Sequence, residues 1–246
     1  METTSFIALS RQMVLRREMD VVANNIANMN TNGFKGEKMM FVEHLVRSRS
    51  DEHVLGEKLS YVRDVATIRD TSPGHLISTG NSLDLAISGD AYFAVETDVG
   101  ERYTRNGRFQ LDQTGQLVTQ SGDLVLSDTG TPFFFGPTDT QIAVNGDGTI
   151  STENGTLGRL RVVEFANPLA LQQESSLLFS AGDDNQPEAS ETARVNQGML
   201  ESSNIQPIIE LTRMIEVHRS YDNVKKFIEK EDERQRSMIR TMNENA

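Results

Sequence analysis

The chain has no cysteine, no tryptophan, six prolines and only four histidines in 246 residues. Without cysteine there are no disulfide staples, no thiolate metal sites and no cysteine nucleophile. His44, His53, His75 and His218 are scattered, and no two share the i, i+4 spacing of a helical metal pair. Long apolar runs are missing too. Nothing approaches the roughly 18 residues that span a bilayer. The one compact apolar stretch near the start, residues 6–9, is too short for a secretory h-region and has no basic cluster ahead of it. The expectation is a protein that does not span a membrane and carries no cleaved secretory signal.

Signatures of chemistry are equally sparse. There is no nucleophile elbow, P-loop or dinucleotide fingerprint. Gly146-Asp147-Gly148 lacks the later bidentate glutamate of a calcium loop and reads as a tight turn before Thr149-Ile150-Ser151. Nothing in the spacing of Asp70, Asp84, Asp90, Asp98 and Asp112 selects a carboxylate pair. We expect no catalytic, metal-binding or cofactor-binding residues, and no enzyme.

Charge is unevenly spread. The net charge is -12, yet residues 1–50 carry 7 basic and 5 acidic groups and residues 201–246 carry 8 and 9. Residues 51–200 hold 9 basic and 22 acidic groups, so the excess sits in the middle. An acidic middle argues against nucleic acid as a partner, since phosphates are repelled. The nearly neutral ends are free to associate.

Both ends read as helices. At the N-terminal end, Thr3, Thr4 or Ser5 serves as N-cap and Asn30-Thr31-Asn32-Gly33 as the breaker. Between them Leu15, Met19, Val22, Ile26 and Met29 are spaced 4, 3, 4 and 3, a coiled-coil seam rather than a broad globular face. Asn24 and Asn25 lie beside it, with small Ala23 and Ala27 allowing close approach. At the C-terminal end Asn204 is the expected N-cap and Pro207 fits the first turn. Ile208, Leu211, Ile215, Tyr221, Val224 and Ile228 make an apolar stripe, flanked by acid-first pairs Asp222–Lys226 and Asp232–Arg236.

The middle differs in kind. Glycines recur at 100, 107, 115, 122 and 130, spaced 7, 8, 7 and 8, with short β-forming segments at 92–95, 103–105, 108–111 and 124–126. Asn106-Gly107 signals a type I′ hairpin, and Asn154-Gly155 a second leading into 160–165. The expected fold class is α+β. Terminal helices (1–32 and 203–246) form a coiled-coil-like assembly domain, and a mostly antiparallel all-β domain (65–180) is inserted between them. Residues 33–64 connect outward, and 181–202 form the return linker.

Three strings carry a resemblance. Ala23-Asn24-Asn25-Ile26-Ala27-Asn28 with Thr31-Asn32-Gly33-Phe34-Lys35 closely resembles the N-terminal signature of the flagellar rod and hook proteins. Thr79-Gly80-Asn81-Ser82-Leu83-Asp84-Leu85-Ala86-Ile87-Ser88-Gly89, then Tyr92-Phe93 and Tyr103-Thr104-Arg105-Asn106-Gly107, resembles the central block of that family. Gln197-Gly198-Met199-Leu200-Glu201-Ser202-Ser203-Asn204 is similar to the segment before its terminal helix. His75 after Gly74, and Asp90-Ala91, depart from the family pattern, both within the β-domain. Length and the opening 5–10 resemble a proximal-rod member more than a distal-rod or hook-type one.

The resemblance implies a structural subunit of the flagellar basal-body rod, which crosses the periplasm. It implies export through the flagellar type III apparatus without a cleaved signal. Its partners would be further copies of itself, other rod proteins and that apparatus. The terminal helices would line a torque-transmitting tube around the export channel, with the β-domain outside and the Asn24, Asn25 and Asn28 amides bonding adjacent helices. The alternatives are a distal-rod or hook-type subunit, and a secreted carbohydrate-binding β-domain with oligomerising helices.

Overall fold

The computed structural model describes residues 2–47, 58–175, 177–190 and 192–244. His53, and part of the expected outward connection, lie outside them. The chain forms two compact units. One comprises residues 1–27, 37–68 and 206–246, and the other residues 28–36 and 69–205.

The first unit is a pair of helices and a two-stranded sheet. Helix α1 runs Glu2–Ala27 and helix α2 Pro207–Glu244. Between them in sequence, β1 (Glu37–Arg47) and β2 (Lys58–Arg69) pair as a two-stranded sheet. Helix α1 is already under way at Glu2, so Thr3, Thr4 and Ser5 lie inside its first turn rather than capping it. It stops where expected, at the turn through Asn28–Thr31 and Gly33, whose φ of 72° favours glycine. Helix α2 has Pro207 as its first residue, where a missing N–H costs nothing. Asn204 is therefore not the cap. Its side chain is occupied elsewhere, accepting from Gly36 N–H and donating to the Asp70 and Ser72 carbonyls.

Every strand pairing described in the second unit is antiparallel. Its strands in order are β3 (Leu76–Ser78), β4 (Leu85–Ser88), β5 (Ala91–Thr97), β6 (Gly100–Thr104), β7 (Phe109–Leu111), β8 (Leu117–Thr119) and β9 (Leu124–Val125). Then come β10 (Ala143–Val144), β11 (Thr149–Thr152), β12 (Gly155–Arg159), β13 (Val162–Glu164), β14 (Gln172–Gln173) and β15 (Phe179–Ser180). The last are β16 (Glu188–Ala189), β17 (Arg194–Gln197) and β18 (Met199–Glu201). The largest sheet is ordered β14-β15-β6-β5-β9-β8-β7, with β13 and β16 joining through β5.

Strand β5 is the hub. Its apolar run has period 2 in space, so Ala91, Phe93 and Val95 enter one core cluster while Tyr92 and Ala94 enter the other. Both faces are covered, which explains a continuous apolar string where a half-buried strand would alternate. Phe93 stacks edge-on against Phe109, and Tyr92 against Phe165 and Phe179.

Two sequence expectations change here. The Asn154-Gly155 hairpin is present, joining β11 to β12. Asn106-Gly107 is not a hairpin: β6 pairs with β5 and β15, and β7 pairs with β8. Gly107 is needed instead for close packing, because a Cβ there would lie 1.6 Å from the Leu85 carbonyl oxygen. Residues 181–202, expected as a linker, carry β16, β17 and β18. Val195 of β17 is buried in the main core beside β4. The polar composition hid this, because a two-to-four-residue strand needs only one inward side chain.

Candidate assembly interface

Helices α1 and α2 pack antiparallel. Asn25 meets Glu210, Glu18 meets Arg213 at 3.0 Å, and Ile7, Ala8 and Arg11 share a groove with Ser220, Asn223, Val224 and Phe227. On α1 the expected seam is the inward face: Val22 is buried and Leu15, Met19 and Ile26 are half-buried. Asn28 and Met29 lie past the end of the helix, in the turn that belongs to the β unit. Asn28 accepts from the Thr31 hydroxyl at 3.2 Å.

On α2 the expected stripe divides. Tyr221, Val224 and Ile228 are half-buried on the inward face. That face continues back through Val217, Met214 and Glu210, and forward through Glu231 and Gln235, in one unbroken heptad. Ile208, Leu211 and Ile215 point away from α1 and are exposed, Ile208 by 81%. Helix α2 therefore carries two apolar seams on different sides, and α1 covers one of them.

Polar residues fix this register. The Asn25 carboxamide pairs with both backbone groups of Glu37, donating to its carbonyl at 2.8 Å and accepting from its N–H at 3.0 Å. The same amide donates to Glu210 Oε2 at 3.3 Å. One buried asparagine thus joins α1, β1 and α2 within a single chain. Its bond to the adjacent helix α2 is made within the chain. Asn24, by contrast, is exposed. Of the expected helix pairs, Asp232–Arg236 forms at 2.9 Å, while Asp222 meets His218 at 3.5 Å.

The β unit holds a second polar centre that spacing did not reveal. Lys35 Nζ contacts Glu201 Oε1 and donates to the Ser72 carbonyl at 2.9 Å, and both charged side chains are 1% exposed. Glu201 also accepts from Gly74 N–H at 2.8 Å and meets Arg105 at 3.5 Å. Burial pulls the Lys35 ammonium below the usual lysine range, and the Glu201 carboxylate works against that shift. Gly33 completes the centre. Its N–H donates to the Glu201 carbonyl at 2.8 Å, and a Cβ there would lie 2.5 Å from the Arg105 backbone. Lys35, Arg105 and Glu201 each come from a different one of the three signature strings. That co-occurrence was the available signal.

Asp112 and Asp147 accept bonds from neighbouring turn residues, which hold their carboxyls below the usual range. Among the described residues no group of three or more potential ligands could hold a metal ion. No helix there is long and apolar enough to cross a membrane.

Comparison with known proteins agrees with this architecture. Residues 7–35 match the family model described as Flagella basal body rod protein. Residues 86–152 match Flagellar hook protein FlgE/F/G D1 domain, and 196–241 match Flagellar basal body rod FlgEFG protein C-terminal. The chain belongs to the flagellar basal-body rod protein family. It is 38% identical over 240 residues to the flagellar basal-body rod protein FlgF of Caulobacter vibrioides, covering 97% of each chain. It is 36% identical to FlgF of Rhizobium meliloti, covering 91% of each. Against FlgG of Bacillus subtilis the identity is 34%, covering 93% of this chain and 94% of that one.

Proposed function

We propose that the chain is a structural subunit of the proximal part of the flagellar rod. It self-assembles through α1 and α2 into a tube that surrounds the export channel and transmits torque. The observation that carries this reading is the second apolar seam on α2. A helix that presents Ile208, Leu211 and Ile215 to solvent, when its other seam is already packed, is built for a further helix. Glu18, Asn25, Glu210 and Arg213 hold the pair in register, and the β unit serves as the outer domain. The chain works by assembly and catalyses nothing. Its partners are copies of itself and other rod proteins, and it is exported by the flagellar apparatus.

The test is to delete the gene and image the cell envelope. Cells that lack hooks and filaments but keep an inner-membrane ring support the reading. Cells that swim normally overturn it.

A further inference from the structure

Helix α2 has 38 residues and α1 has 26. With Asn25 level with Glu210 and Ala8 level with Val224, α1 reaches its first turn at about residue 231. The rest of α2 then runs on for about 20 Å at 1.5 Å per residue. The inward heptad does not stop there. It continues from Glu231 and Gln235 to Met238 and Met242, which are exposed by 37% and 74%. At Met238 and Met242 the seam is uncovered among the described residues.

At the opposite end of the same helix, Ile208, Leu211 and Ile215 form the outward seam, also uncovered. The two stretches have the same spacing. Ile208, Leu211 and Ile215 correspond one for one with Gln235, Met238 and Met242, each pair 27 positions apart. On one rigid helix they are about 40 Å apart and cannot cover each other within a chain.

We infer that the C-terminal seam of one copy docks in parallel on the outward N-terminal seam of α2 in a second copy, set about 40 Å further along the helix axis. Leu211 then faces Met238, and Ile215 faces Met242, as like positions face in a parallel coiled coil. The flanking Thr212, Ile239 and Thr241 are uncharged, so no like charges oppose the contact. Two different patches meet, so the contact is heterologous and adds copies in open series rather than closing as a dimer.

This inference rests on the assembly reading, but its test is independent. The chain has no native cysteine, and like positions in such a coil lie within disulfide range. Full-length Leu211→Cys and Met238→Cys proteins are oxidised separately, mixed, and as a double variant. Both sites are exposed, so circular dichroism should match the unsubstituted chain. The mixture should give a cross-linked dimer at least tenfold above either variant alone, and the double variant a ladder. A dimer from Met238→Cys alone, or none from the mixture, overturns the inference. Normal swimming after gene deletion would overturn the rod reading while leaving the cross-link result standing.

Discussion

The two units use apolar residues in opposite ways. In the β unit, β5 is buried on both faces, and two clusters centred on Phe93 and on Tyr92 hold most of its buried apolar side chains. Among the described residues of the two helices the buried apolar ones are Ala8, Val22 and Val217, while Phe6, Leu9, Met13 and the Ile208 and Met242 groups face solvent. One unit has completed its core and the other has left its core open. A chain that must be stable alone and then polymerise is served by this division, because burial withheld from the monomer remains available to drive association.

Substitutions can break the comparison. Ile26→Asp places a charge in the α1 seam and should abolish assembly while leaving the melting of the β unit unchanged, as read by sedimentation and calorimetry. A joint loss would show that the two units share one core. In the β unit, Lys35→Met takes the nearest cation from Glu201, which is 1% exposed, and leaves it the Arg105 contact at 3.5 Å. It should cost about 3–5 kcal/mol in urea unfolding. Asn25→Ala removes three bonds and leaves Glu37 and Glu210 short of partners. It should cost about 1–3 kcal/mol, with faster hydrogen exchange confined to the helices and their two-stranded sheet.

Acid sharpens the contrast further. Glu153 accepts from Thr140 N–H and Gln141 N–H, both at 2.9 Å, and these bonds pull its carboxyl down to about 2. The folded value is depressed, so its contribution is complete above the ordinary value of 4.5 and is lost as pH falls from there towards 2. Glu153→Gln should flatten the β unit's stability over that window. Arg236→Ala removes only an exposed pair with Asp232. It should change helix stability by less than about 1 kcal/mol.

The legibility of the sequence followed the same line. Leu15, Met19, Val22 and Ile26 could be read as a seam because a 3.5-residue period repeats in the chain itself. In sequence the Ile208 group falls in the same stripe as Tyr221, Val224 and Ile228, since all six are apolar at helical spacing. Which of them α1 covers depends on where Glu18 and Asn25 meet Arg213 and Glu210, and that is a fact about two helices. By residue type Asn204 suits a cap, whereas its bonds run to Gly36, Asp70 and Ser72. The β17 strand was missed because its partner β4 lies more than a hundred residues earlier.

The sequence by itself determined the terminal helices, the glycine-punctuated β middle and the three strings that mark the family. Each is written in local period or residue type, where backbone sterics and side-chain periodicity act. Only the tertiary structure decided which seam stays open and that Asn25 is spent inside the chain. It alone brought Lys35, Arg105 and Glu201 into one buried centre. Those depend on contacts between residues far apart in the chain, and no local propensity specifies which partner a buried charge or an apolar face will find.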